Sequence, residues 1–85
     1  MNLTPMIDRA IYNDPVALRT LATELRRSDL LAGAKVREIV LPIARAWDII
    51  AWDKRQNWRT IADAWAQRLE RKAAEIKADT ASADN

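Results

Sequence analysis

Few side chains in this 85-residue chain are equipped for chemistry, and their types restrict what that chemistry can be. Histidine and cysteine are both absent. That excludes a Ser-His-Asp or Cys-His nucleophile, and it excludes a Cys/His zinc site. The two serines, Ser28 and Ser82, have no histidine to activate them: Ser28 reads as a helix cap and Ser82 lies in the tail. Two carboxylate pairs remain for acid–base work or for a hard cation, Asp48 with Asp53 and Glu75 with Asp79. Five residues apart on a helix, Asp48 and Asp53 diverge by about 140°. Glu75 and Asp79 face one way but sit near the chain end, and solvated helix surface is the plainer reading of both pairs. A single glycine, Gly33, rules out a glycine-rich phosphate loop. The expectation is a protein that is not an enzyme and holds no metal or cofactor.

Binding chemistry is better represented. Trp47, Trp52, Trp58 and Trp65 fall within nineteen residues of a chain that has no phenylalanine and one tyrosine, Tyr12. A tryptophan brings a large apolar ring and an N–H that needs a partner when buried. Four of them either fill much of a small core or face something else. Between two of them runs Trp52-Asp53-Lys54-Arg55-Gln56-Asn57-Trp58-Arg59, where cations alternate with aromatic rings. Lys54, Arg55 and Arg59 suit phosphates and Trp52 or Trp58 suits base stacking, which is one reading of the segment as a nucleic-acid contact. An exposed polar turn between helices is the other. Net charge is only +2, below the basic excess typical of a nucleic-acid footprint. Ten of the fourteen cations are arginine, which suits bidentate and stacked contacts.

These residues must be positioned by helices, because nothing in the chain alternates as a strand does. Thr4-Pro5 and Asp14-Pro15 each place a capping oxygen before a proline at the first helical position. The first helix is expected over about 5–12 and the second over 15–27, with Leu18, Leu21, Ala22 and Leu25 on its inner face. Ser28 then caps a third helix over about 29–54, with Asp29 in its first turn; alternatively Gly33 closes the second helix as a left-handed C′ residue. Pro42 lies inside the third helix and should kink or break it. Its main stripe is Val36, Ile39, Val40, Ile43, Trp47 and Ile50, and a second apolar group, Leu31, Ala34, Leu41, Ile49 and Trp52, lies on the other side. The fourth helix begins behind Asn57 and runs over 58–78 on the stripe Trp58, Ala62, Trp65, Leu69, Lys72 and Ile76. Its first run, Trp58 to Trp65, resembles the opening helix of helix-turn-helix readers. The turn that should follow is missing, since no break appears before Ala78.

The expected fold is therefore all-α, a small bundle of three to four helices in one domain over 1–78, with a disordered tail over 79–85. The N-terminus, Met-Asn-Leu-Thr-Pro-Met, has no basic segment before an apolar run, so no signal peptide is expected. The apolar stretch from Ile39 to Trp52 contains Pro42, Arg45 and Asp48 and is too short and charged to span a bilayer. Binding to a membrane surface is disfavoured because Glu38, Asp48 and Asp53 sit among the cations. A chain without cysteine fits the cytoplasm. The function expected is a protein–protein interaction module of the size of a small bacterial or phage accessory protein or adaptor. Its partner face would be Leu41, Arg45, Ile49 and Trp52 with Lys54 and Arg55, and burial of that face against a second copy would make a homodimer. The alternative is a nucleic-acid-binding accessory protein using Lys54, Arg55, Trp58 and Arg59.

Overall fold

A computed structural model describes residues 2–27 and 32–83, the side chains of 32 and 77–83 excepted. Among the described residues it has four helices and no strand: α1 (Thr4–Ile11), α2 (Pro15–Arg27), α3 (Ala32–Trp47) and α4 (Trp58–Ala83). The expected all-α bundle is formed. The Ser28 cap and the placement of Asp29 and Leu31 fall outside the described residues.

Local caps account for the helix starts. Asp14 Oδ1 accepts from the Val16 N–H at 3.0 Å and opens α2. Asn57 Oδ1 accepts from the Thr60 N–H at 2.8 Å and opens α4. At α1 the capping oxygen is not that of Thr4. Asn2 Oδ1 accepts from the Thr4 N–H at 3.0 Å, and Leu3 occupies the cap position with its side chain buried.

α1 and α3 close in the same way. Asn13 and Asp48 adopt left-handed backbone conformations, with φ of 66° and 56°. Around Asn13, the Asp14 N–H reaches the Arg9 carbonyl and the Asn13 N–H reaches the Ala10 carbonyl. Around Asp48, the Ile49 N–H reaches the Ala44 carbonyl and the Asp48 N–H reaches the Arg45 carbonyl. Both are Schellman closures, with Asn and Asp where glycine is more usual.

The third helix thus ends at Trp47, not near Lys54, and the break falls at Asp48 and not at Pro42. Pro42 does not break the helix; it sits within it and withholds an N–H from the Glu38 carbonyl. Gly33 does not close α2; it lies inside α3 with an ordinary helical φ. At the far end, α4 continues past Ala78 to Ala83.

α2 and α4 make the most extensive pairing. Ala17, Ala22, Ala62, Ala66 and Ala73 are all buried, and these small residues let helix backbones approach closely. Leu18, Leu21 and Leu25 of α2, Val36, Ile39, Val40 and Ile43 of α3, and Leu69 of α4 are fully enclosed. Each such side chain contributes about 1.5–3 kcal/mol of burial. Ile50, assigned from the sequence to the same stripe, is instead 85% exposed, because the helix that would have turned it inward has already ended. Ion pairs join the helices at the surface: Arg26 of α2 with Glu70 of α4, and Lys35 of α3 with Glu24 of α2 at 3.4 Å. The hydrogen bond to Glu70 is the main cause of a raised Arg26 pKa.

Candidate partner-binding surface

The connector between α3 and α4, residues 48–57, is an ordered unit. Trp65 donates its indole N–H to the Ala51 carbonyl at 2.5 Å, which ties the connector to the core face of α4. Farther along, a turn closes on itself. The Gln56 N–H meets the Asp53 carbonyl at 3.0 Å, the Asp53 N–H meets Gln56 Oε1 at 3.2 Å, and the Arg55 N–H meets Asp53 Oδ1 at 2.9 Å. Such local side-chain bonds give the backbone a partner in place of a helical ladder.

The four tryptophans take separate positions. Trp65 is buried. Trp47 is half-buried rather than enclosed, and its Nε1–H donates to the Ile11 carbonyl at 3.2 Å, joining the ends of α3 and α1. Trp52 and Trp58 are both half-buried and meet edge to face, 5.3 Å between centroids. Three rings carry a cation: Arg37 over Trp58 at 5.2 Å, Arg68 over Trp65 at 4.9 Å and Lys72 over Trp47 at 6.0 Å.

The residues expected to form one partner face are distributed differently. Leu41 and Arg45 stay one turn apart on α3, both exposed. Ile49 follows the helix end, 38% exposed, and Trp52 is turned onto Trp58. A continuous helical face of Leu41, Arg45, Ile49 and Trp52 is not formed, because α3 stops before its last two members. Lys54 and Arg55 are exposed in the turn, where Arg55 lies 3.6 Å from Asp53. Arg59 donates to the Arg26 carbonyl at 3.3 Å and pairs with Asp63 at 3.6 Å, away from the turn cations. Of the carboxylate pairs, Asp48 and Asp53 serve two different backbone turns, while the Asp79 side chain lies outside the described residues. Among the described residues, no group of three or more acidic side chains is placed to hold a metal ion. No described helix is long and apolar enough to cross a membrane.

Sequence reasoning missed a second surface. Ile11 and Asn13 from the end of α1, Trp47 and Ile49 from the end of α3, and Arg68, Arg71, Lys72 and Glu75 of α4 line an open groove of about 520 Å3. A smaller depression of about 240 Å3 lies beside it under the connector, between Ile50, Trp52, Trp65 and Arg68. The spacing of positions 68, 71, 72 and 75 does mark one face of a helix. Its opposing walls come from residues far away in sequence.

Comparison with protein-family models, with curated proteins and with solved structures found no match.

Proposed function

We propose that this chain is a non-catalytic, all-α interaction module, an adaptor or accessory protein that self-associates through the connector and the adjoining end of α3. One observation carries the reading. Ile50 stands 85% exposed beside Ile49 at 38%, on a connector whose backbone is held by its own hydrogen bonds and by Trp65. A fixed aliphatic pair in water is the kind of surface that association buries at little ordering cost. Leu41, 40% exposed, and Arg45 extend the surface along α3, with Lys54 and Arg55 as a charged rim. A symmetric pairing would bring each copy's isoleucines onto the other's.

The nucleic-acid reading draws less support from the same segment. Trp58 is packed by Trp52 and Arg37 and is not open to a base, and Arg55 and Arg59 each lie beside a carboxylate.

Sedimentation equilibrium over a concentration series tests the proposal. The wild-type chain is expected to move from monomer toward dimer, and Ile50→Asp to stay monomeric with an unchanged melting curve. A wild-type chain that remains monomeric at its highest attainable concentration rejects self-association. Salt-sensitive binding of a generic oligonucleotide, lost on Lys54→Glu, would favour the nucleic-acid reading instead.

A further inference from the structure

Arg68, Arg71 and Lys72 stand together on one wall of the 520 Å3 groove, with Glu75 as the one carboxylate among its described lining residues. Among the described residues, none of the three cations is ion-paired. Arg68 lies over Trp65 and Lys72 over Trp47, contacts that leave their hydrogen-bond donors free for carboxylates.

The opposite wall offers these cations little. α1 and α3 both end at the groove, and helix C-termini ordinarily present unpaired carbonyls. Here most of those acceptors are taken. The Arg9 and Ala10 carbonyls receive the N–H groups of Asp14 and Asn13, and those of Ala44 and Arg45 receive Ile49 and Asp48. The Ile11 carbonyl receives the Trp47 indole N–H. Besides the Asn13 amide, that wall presents apolar groups: Ile11, Ile49 and the Trp47 ring. An occupant that satisfies the whole site needs an apolar side chain flanked by carboxylates.

We propose that this groove docks an acidic amphipathic segment of a partner protein. Its apolar side chain seats on Ile11, Trp47 and Ile49, and its Asp or Glu carboxylates meet Arg68, Arg71 and Lys72. The proposal rests on the reading of the chain as an interaction module; it shares Ile49 with the self-association surface but does not use Ile50. A nucleic acid suits the groove less well. The Trp47 N–H is engaged, and Glu75 would face the phosphates. The open groove also suits a polypeptide better than a small molecule, which binds where most of its surface can be enclosed.

The full chain, labelled with 15N, is titrated with a synthetic helical peptide bearing leucines on one face and glutamates beside them. Two control peptides replace Glu by Gln or Leu by Ser, and a single-stranded oligonucleotide serves as a non-peptide polyanion. The expected result is a shift of the Trp47 indole and the Ile49 and Arg71 amide signals with the Glu/Leu peptide, with weaker binding of both controls. Arg71 is exposed and has no ion-pair partner among the described residues, so Arg71→Glu should fold normally; it is expected to weaken the peptide about fivefold or more, with Arg71→Lys restoring most of the loss. Ile50→Asp is expected to leave the titration unchanged. Absence of shifts, shifts confined to another face, equal binding of the Leu→Ser peptide, or preference for the oligonucleotide each overturns the proposal. Such a failure leaves the self-association reading to stand or fall on sedimentation alone.

Discussion

The Trp58 indole rests directly on the backbone of Gly33: a methyl group built at Gly33 would lie 2.9 Å from Trp58 Nε1 and 3.0 Å from Cε2. The glycine is helical, so its value here is the absence of a side chain and not access to a positive φ. Two effects of Gly33→Ala therefore oppose each other. Alanine favours the helix by about 1 kcal/mol, while overpacking costs about 1–3 kcal/mol. Trp58 cannot yield easily, with Arg37 over its ring and Trp52 against it. Gly33→Ala is expected to destabilise the wild type by about 1 kcal/mol in urea unfolding and to stabilise a Trp58→Ala variant by about the same amount. The same sign in both backgrounds would show that the contact does not matter.

Trp65 ties the connector to the core through its bond to the Ala51 carbonyl. Trp65→Phe removes that bond, leaves the carbonyl without its donor and shortens a buried ring. The expected cost is about 2–3 kcal/mol. Trp47→Phe removes a comparable bond to Ile11 at a half-buried site and should cost about 1 kcal/mol. The location of the effect is the sharper reading. Hydrogen exchange should accelerate across 51–56 in the Trp65 variant and at the α1–α2 turn in the Trp47 variant. A uniform acceleration in both would argue against separate tethers.

The sequence reveals those features of the fold that depend on near neighbours. Asp14 and Asn57 cap helices because each side chain bonds an amide two or three residues away, and that chemistry is visible in the chain itself. The end of α3 is hidden for the opposite reason. Ile49-Ile50-Ala51-Trp52 continues a helical pattern without Gly or Pro to stop it. The stop comes from Asp48 in a left-handed conformation, followed by a connector anchored to Trp65, fourteen residues beyond Ala51. Gly33 misleads in the same manner: it looks like a helix terminator, yet its role is set by Trp58, distant in sequence. The cationic face of α4 is readable from its spacing, but the apolar wall opposite is assembled by the ends of α1 and α3.

Asp48 holds a position better suited to glycine. Its left-handed backbone conformation carries a steric cost for any residue with a Cβ. Its carboxylate also sits at a helix C-terminus, where the dipole disfavours negative charge. Asp48→Gly is expected to stabilise the chain by about 0.5–1 kcal/mol, after allowance for the greater freedom of glycine in the unfolded state. Asp48→Val is expected to destabilise by more than 1 kcal/mol, roughly, because β-branching resists this conformation. Denaturation midpoints of the two variants on opposite sides of wild type would support the Schellman closure. Equal midpoints would mean that the chain leaves α3 in another way.

Trp52 decides whether the aromatic turn belongs to the fold or to a partner. It packs edge to face on Trp58 and is half-buried without any second molecule. If the monomer needs that contact, Trp52→Ala should cost about 1–3 kcal/mol in dilute solution, where no dimer forms. A double-mutant cycle with Trp58→Ala isolates the shared part, expected at about 0.5–1.5 kcal/mol. Trp58 also touches Gly33 and lies under Arg37, so its own truncation should cost more than that of Trp52. A Trp52 effect near zero in dilute solution, growing with protein concentration, would reverse the assignment: the ring would then act in association, and the connector isoleucines would share the interface with an aromatic anchor.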